Sequence, residues 1–187
     1  MKYLAFAVAI MLVTACTEQE RDVNTNHTEK HERADNNTTS METQIPTSLK
    51  AEHEELHKKL ESYTKLPGKT GIAAKAVADK LHPHFNKEEE YALPPLGLLP
   101  DLAEGKTSDE MRAVIPQTDK LKEEFQQMLA EHQQIVKTLD ELSAAAKEEN
   151  HPEVMQFVDA LKLHAKTEEE VLYPTAILIG EYLKLKL

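Results

Sequence analysis

Histidine and glutamate occupy positions where the predicted helices of this chain would otherwise carry apolar side chains. In the last such helix, His164 and Glu168 lie one turn apart on a stripe whose other members are Val154, Phe157, Leu161 and Val171. Steps of three and four residues mark the buried face of an amphipathic helix. A carboxylate in a helical core costs several kcal/mol unless an opposite charge pairs with it. The pair therefore predicts a metal ion as its partner.

The same two residues recur 80 positions upstream as His84 and Glu88. In both copies a Leu lies three residues before the His, three Glu begin four residues after it, and a Pro follows ten residues after it. A second element repeats at an offset of 79, with His53 in the segment EHEEL and His132 in the segment EHQQI. The order His, His-x3-Glu, His, His-x3-Glu indicates an internal duplication of a helical hairpin.

Four long helices are predicted to position these side chains. Each carries its candidate ligands on an apolar stripe, and Pro, Gly or capping residues mark its ends. We place them at about 47–66, 70–91, 117–149 and from Pro152 past position 168, with Thr47 or Ser48 capping the first. Pro83 is expected to kink the second helix, because proline lacks the backbone donor that a helix interior needs.

The remaining segments complete the predicted fold. We expect the Pro-rich connection at 93–102 to be ordered, Ser108 to cap a short helix over 109–115, and the apolar segment 177–187 to dock on the bundle. Short turns within each hairpin and one longer crossover predict an all-α fold, an antiparallel (up-and-down) four-helix bundle built from two duplicated hairpins. The presence of only five Gly among 187 residues also favours helix over sheet.

In a bundle, facing stripes at similar depth converge, so six inward side chains define the predicted centre. They are His53, His84, Glu88, His132, His164 and Glu168. Four imidazoles and two carboxylates can hold two metal ions, with carboxylates bridging them, and mixed nitrogen and oxygen ligation suits iron, with Mn or Zn as alternatives. A single His on an apolar face usually serves packing, but four in register at duplicated positions indicate a metal site.

Residues beside the stripes are candidates for further ligands or for hydrogen bonds to the ligands. His57, Tyr91 and Tyr173 are placed in this group. The four glutamates that follow Glu88 and Glu168 are expected to be mostly solvated, with one of them supporting a ligand: Glu89, Glu90, Glu169 and Glu170.

Composition excludes several classes of function. The net charge is −11, and no basic patch is found, which argues against nucleic-acid binding, since phosphate contacts need clustered Lys and Arg. The sequence also lacks a Gly-rich phosphate loop and a Gly-x-Ser-x-Gly nucleophile elbow.

The first 45 residues differ from the rest. Residues 4–15 form an uncharged run that is short for a bilayer span, and small residues precede Cys16, the only cysteine. This resembles a bacterial lipoprotein signal, which implies a signal peptide at 1–15, lipidation of Cys16, and a polar linker at 16–45 before a bundle at 46–187. By resemblance to Gram-negative lipoproteins, Thr17 in place of Asp after the cysteine implies an outer-membrane anchor facing the periplasm. An ordinary signal peptide or an uncleaved anchor is the alternative.

The ordered set of ligands resembles the hemerythrin-like HHE cation-binding domain family, over residues 45–187. The resemblance rests on His53, His84-x3-Glu88, His132 and His164-x3-Glu168. It implies a four-helix bundle with a non-haem di-iron centre that acts on O2, NO or peroxide, or that senses or handles iron. Oxygen-carrying members have a second His one turn after the third-helix ligand.

That position is Val136 in this chain, which argues against reversible O2 carriage unless His57 supplies the fifth imidazole. A ferritin-type centre would need Glu-x-x-His pairs, and Leu129 and Leu161 stand at the required positions.

Three functions remain open from the sequence. The first is an envelope-tethered di-iron protein that binds or senses O2, NO or iron. The second is a di-iron enzyme that reduces peroxide or NO, or that protects iron–sulfur proteins. The third is a Zn or Mn structural module without redox chemistry. The sequence leaves both enzymatic activity and the oligomeric state undecided.

Overall fold

The structure, a computed structural model, describes residues 44–187, and every regular element in that range is helical. The predicted signal peptide, Cys16 and the linker up to position 43 lie outside the described residues. Six α-helices follow one another along the chain: α1 Thr47–Tyr63, α2 Gly68–Lys87, α3 Leu99–Ala103, α4 Ile115–Glu148, α5 Pro152–Thr167 and α6 Tyr173–Lys186. They agree with an all-α, hemerythrin-like bundle.

Two π-helical turns interrupt the long helices at equivalent points of the sequence repeat. The turn Glu88–Ala92 follows α2, and the turn Glu168–Leu172 separates α5 from α6. Each begins at the Glu of a His-x3-Glu pair, so each candidate carboxylate lies where the helix widens by one residue. Such π-bulges are frequent at functional sites. The sequence predicts a disturbance of the last helix near Pro174. The second π-turn lies just before this residue, and Pro174 itself occupies the first turn of α6.

The N-terminal cap of α1 differs from the prediction. Pro46, not Thr47 or Ser48, is the N-cap of α1, so the predicted side-chain cap is wrong. The helix begins one residue earlier because the Pro46 carbonyl already accepts a hydrogen bond from the Lys50 amide, at 3.1 Å. Pro83 lies inside α2, which continues as α-helix to Lys87.

A carboxylate from the end of α4 caps α2. Glu149 accepts hydrogen bonds from the backbone amides of Lys69 and Thr70, at 2.7 and 2.8 Å, and from the Thr70 hydroxyl at 2.6 Å. These contacts satisfy amides that the first turn of a helix leaves without an intrahelical partner. They account for the start of α2 at Gly68, two residues before the predicted start.

The connection between the two halves is ordered, as predicted. It contains 3₁₀ helices at Pro94–Leu98 and Asp109–Val114 on either side of α3, and Pro94, Pro95, Leu96 and Leu98 are buried. The C-terminal helix α6 buries Ala176, Ile179, Gly180 and Leu183, in agreement with the expected docking. None of the described helices combines the length and the apolar character needed to cross a membrane.

The candidate ligands lie between two apolar clusters of the core. Along α4, Met128 belongs to one cluster and Ile135 to the other, and the buried His132 falls between them. The first cluster includes Leu60 and Leu81, and the second includes Tyr173. The predicted ligands therefore form a polar layer enclosed by apolar packing above and below it along the helix.

Candidate metal centre

All six predicted ligands are buried, and they converge in two groups of three. His53, His164 and Glu168 form the first triad, which comes from α1, α5 and the turn after α5. The second triad, from α2, the turn after it and α4, contains His84, Glu88 and His132. Within each triad the donor atoms lie within 4.8 Å of one another. No member of either triad exposes more than 6% of its surface.

The two carboxylates reach both triads. Glu88 Oε1 lies 3.0 Å from His84 Nε2, and its other oxygen lies 3.8 Å from His53 Nε2 in the first triad. Glu168 repeats this arrangement, with Oε1 at 3.1 Å from His164 Nε2 and Oε2 at 3.5 Å from His132 Nε2. One oxygen of each glutamate therefore faces each triad, which is the placement that a bridging carboxylate requires.

The Nδ1 atom of every candidate histidine lies close to a further glutamate, on the side of the ring opposite to the centre. The Nδ1 atoms of His84 and His132 lie 2.9 and 3.0 Å from Glu131 and Glu169, and those of His164 and His53 lie 3.2 and 3.4 Å from Glu52 and Glu89. An ionised carboxylate only accepts hydrogen bonds, so in the neutral imidazole, the form that binds metal, Nδ1 carries the proton and Nε2 has a lone pair toward the centre. Carboxylates in this position orient metal-binding histidines and increase their basicity.

Two of these four supporting glutamates were not predicted. Glu52 and Glu131 precede His53 and His132 by one residue each, and this repeated Glu-His pair was the signal in the sequence. Among the four glutamates that follow Glu88 and Glu168, the sequence predicts one that contacts a ligand, and the structure shows two, Glu89 and Glu169.

The two remaining glutamates of the runs have the solvated role predicted for them. Glu90 is exposed and pairs with Lys120, and Glu170 is exposed and pairs with Lys166.

Several ligand atoms that face the centre have no hydrogen-bond partner among the described residues. Nε2 of His53 and of His164, both oxygens of Glu168 and Oε2 of Glu88 are buried without a hydrogen bond. A buried polar atom left unpaired costs about 1–3 kcal/mol, and more when it is charged. Here lone pairs of imidazoles face lone pairs of carboxylates, so a cation between them would satisfy both. The residues present therefore fit a pair of metal ions.

The electrostatics of the cluster favour positive charge at its centre. Burial lowers the pKa of His132, but the nearby negative carboxylates of Glu168 and Glu88, at 3.5 and 3.7 Å from Nε2, outweigh burial and raise this pKa to about 10. The pKa of His164 rises to about 9, because Glu168 likewise outweighs burial. For Glu168, burial raises the pKa, but the close imidazoles of His132, His164 and His53 outweigh burial and hold the pKa well below 4.5. Glu168 therefore stabilises positive charge at the centre, either on protonated histidines or on a metal ion.

The structure separates the three residues predicted as further candidates. His57 belongs to neither triad: its ring lies 4.9 Å from that of His82 and 4.8 Å from that of Phe85. Phe85 in turn stacks on His53 at 4.2 Å, so its ring contacts both His53 and His57. Tyr91 donates a hydrogen bond to Glu124 at 2.7 Å, away from the triads.

Tyr173, by contrast, reaches the second triad. It donates a hydrogen bond to Glu88 Oε1, and its oxygen lies 3.4 Å from His132 Nε2.

Two surface recesses approach the centre from outside. One, of about 250 Å³, is lined by His84, Glu131 and Lys87, and the other, of about 280 Å³, is lined by His164 and Glu52. Each recess therefore ends at a histidine–glutamate pair. Lys87 neutralises Glu131 at 2.5 Å in the first recess.

An all-helical protein with two buried triads of His and Glu belongs to the class of metal-binding helical domains. The family model described as "Hemerythrin HHE cation binding domain" matches residues 47–176, which include all six candidate ligands. The chain belongs to this family. No curated protein and no solved structure matches the chain.

Proposed function

We propose that this chain holds two iron ions and uses them to bind or sense O2 or NO, or to sense iron. The observation that carries the proposal is the set of buried histidine and glutamate atoms that have no hydrogen-bond partner among the described residues. Their lone pairs face one another across the centre. Two histidines and one carboxylate with open positions are typical of non-haem Fe(II) sites, and each triad has this composition.

The roles of the residues follow from their geometry. The triad of His53, His164 and Glu168 would hold one ion, and that of His84, Glu88 and His132 the other. Each glutamate would bridge, since its two oxygens face different triads. When bound, the iron pair supplies electrons and open coordination positions for a small ligand. The four outer glutamates keep every Nε2 turned inward, and the apolar clusters exclude water from the layer.

The test is anaerobic loading of the purified chain with ferrous iron, followed by metal counting and absorption spectroscopy while O2 is admitted. About two irons per chain, with new bands that disappear on deoxygenation, would support a carrier or sensor. Uptake of Zn or Mn but not iron would leave the structural-module alternative and remove the redox function.

A second candidate function is a di-iron enzyme that reduces peroxide or NO. It is favoured by the number of imidazoles, because Val136 offers no ligand and His57 belongs to neither triad. Four imidazoles leave more open positions than five. Repeated turnover of peroxide or NO by the iron-loaded chain would support this function, and irreversible oxidation without turnover would favour iron handling.

We further propose that the bundle is antiparallel and that its halves arose by duplication. The contacts support this, since His84–Glu131 and His164–Glu52 correspond under the sequence repeat, as do His53–Glu89 and His132–Glu169. The two π-turns correspond in the same way.

We also propose that residues 1–15 are a signal peptide and that lipid on Cys16 tethers the 46–187 bundle through a 16–45 linker to the outer membrane, facing the periplasm. The small residues before the lone cysteine support this arrangement. A Cys16→Ser chain should move to the soluble envelope fraction. Continued membrane association of that variant would indicate an uncleaved anchor instead.

A further inference from the structure

Tyr173 breaks the equivalence of the two halves. It is the first residue of α6, directly after the second π-turn, and it is fully buried. Its hydroxyl donates a hydrogen bond to Glu88 Oε1, a ligand candidate from the other half of the chain. The corresponding residue of the sequence repeat, 80 positions earlier, is Leu93, which is also fully buried but has no hydroxyl. Only the second triad therefore receives this oxygen atom.

The position of the Tyr173 oxygen matches that of a ligand atom. It lies 3.5 Å from His84 Nε2 and 3.4 Å from His132 Nε2, and Glu88 Oε1 lies 3.0 Å from His84 Nε2. Metal bonds of about 2.0–2.2 Å at tetrahedral or right angles place neighbouring ligand atoms roughly 3–3.5 Å apart. These three distances have the spacing expected around one ion, while His132 Nε2 lies slightly farther from Glu88 Oε1, at 3.7 Å, and the Tyr173 oxygen is hydrogen-bonded to Glu88 Oε1.

Hydrogen bonding alone does not account for these contacts. A phenol has one proton, and Tyr173 gives it to Glu88. The Nδ1 atoms of His84 and His132 face the carboxylates of Glu131 and Glu169, so in the neutral imidazole, the form that binds metal, each Nε2 presents a lone pair to the Tyr173 oxygen. Three atoms with lone pairs thus face one another at the distances given, and a cation among them would remove the repulsion.

We propose that Tyr173 is the fourth protein ligand of the ion held by His84, Glu88 and His132. This inference rests on the proposed function. With ferric iron bound, the O–H bond of the phenol would break, the oxygen would bond to the iron, and the proton would leave to solvent without any change in oxidation state. A bound cation favours the phenolate, just as it deprotonates a coordinating thiol.

The consequence is that the two metal positions differ. The inner atoms of the first triad, on His53, His164 and Glu168, have no hydrogen-bond partner among the described residues. An ion at that position would have one protein ligand fewer and one more open site. The structure therefore assigns the binding of a diatomic ligand or peroxide to the position of the first triad.

The experiment compares the full chain with Tyr173→Phe and Tyr91→Phe. Tyr91 is a matched control, because it is equally buried but donates to Glu124 outside the triads. Each protein is loaded with ferrous iron and oxidised with O2, which takes up the electrons. Iron per chain is then counted, and resonance Raman spectra are excited in the visible region for the ring modes of an iron-bound phenolate.

We expect phenolate modes in the wild-type chain and in Tyr91→Phe, and their complete loss in Tyr173→Phe with at least one iron retained. Two irons per wild-type chain without phenolate modes would overturn the assignment while leaving the di-iron proposal intact. Phenolate modes that persist in Tyr173→Phe would overturn it as well. A wild-type chain that takes up no iron would overturn both proposals. Because the wild-type spectrum is itself decisive, the test does not depend on the folding of the variant.

Discussion

Glu168→Gln should abolish most of the stability that metal binding gives to the fold. Glu168 is 1% exposed, and its oxygens lie 3.1 Å from His164 Nε2 and 3.5 Å from Nε2 of both His53 and His132. The substitution preserves the shape of the side chain and removes the charge that three imidazoles share. Partners of metal ligands typically contribute 10–100-fold to affinity, so the loss of a bridging ligand should reach about 100-fold.

The expected magnitude follows from linkage. Free metal at 100 times the dissociation constant stabilises the wild-type fold by about 2.7 kcal/mol, whereas an affinity about 100-fold weaker leaves about 0.4 kcal/mol. For a chain of this size, 1 kcal/mol moves the unfolding midpoint by about 2–4 °C. Metal should therefore raise Tm by about 5–11 °C in the wild type and by about 1–2 °C in Glu168→Gln.

Thermal unfolding followed by circular dichroism, with metal and with chelator, measures both shifts. Glu170→Gln is the control, because Glu170 is exposed and pairs only with Lys166, at 3.6 Å. It should keep the full wild-type response. A metal-dependent shift in Glu168→Gln equal to that of the wild type would refute the assignment of Glu168 as a bridging ligand.

Three other changes test separate parts of the structure. His57→Ala should keep the wild-type metal content, since His57 belongs to neither triad and its ring contacts His82 and Phe85, and complete loss of metal would make His57 a ligand. Glu149→Gln should destabilise the fold at pH 7 and flatten its pH dependence in denaturant unfolding; an unchanged pH profile would argue against the cap. Hydrogen bonds from Thr70 and Lys69 lower the pKa of Glu149 from 4.5 to about 2, so its contribution is complete above about pH 4.5 and is lost as the pH falls toward 2. Gly180→Ala should lower the free energy of unfolding by about 1–3 kcal/mol, because the added Cβ would lie 1.9 Å from Thr118 Oγ1. An unchanged Tm would show that α4 and α6 can move apart without cost.

Much of the fold was predictable because helix stripes and their interruptions are local properties. The stripes located α1, α2, α4 and α5 to within a few residues, and proline at the first turn was recognised at Pro152. The start of α2 was placed two residues late, because its amides are capped by Glu149, about 80 positions away in the chain. The two π-turns were also missed, since their hydrogen-bond pattern has no distinct apolar period.

The six inward residues were identified from sequence because duplication placed the same polar types on four apolar stripes. Periodicity fixes the face of a helix on which a side chain lies, and therefore whether it is directed inward. It does not fix which histidine meets which carboxylate. That pairing depends on the relative depth and rotation of α1, α2, α4 and α5, which are set by side-chain packing between helices.

The sequence by itself thus determined the helical class, the order of the ligands and their inward direction. Only the tertiary structure decided that His53 joins His164 and that His84 joins His132. It also decided that four glutamates beside the stripes hold the Nδ1 atoms, and that Tyr173 reaches one triad alone. The physical reason is that these contacts join residues 36 to 112 positions apart in the chain, whose distances are fixed by helix packing rather than by local periodicity.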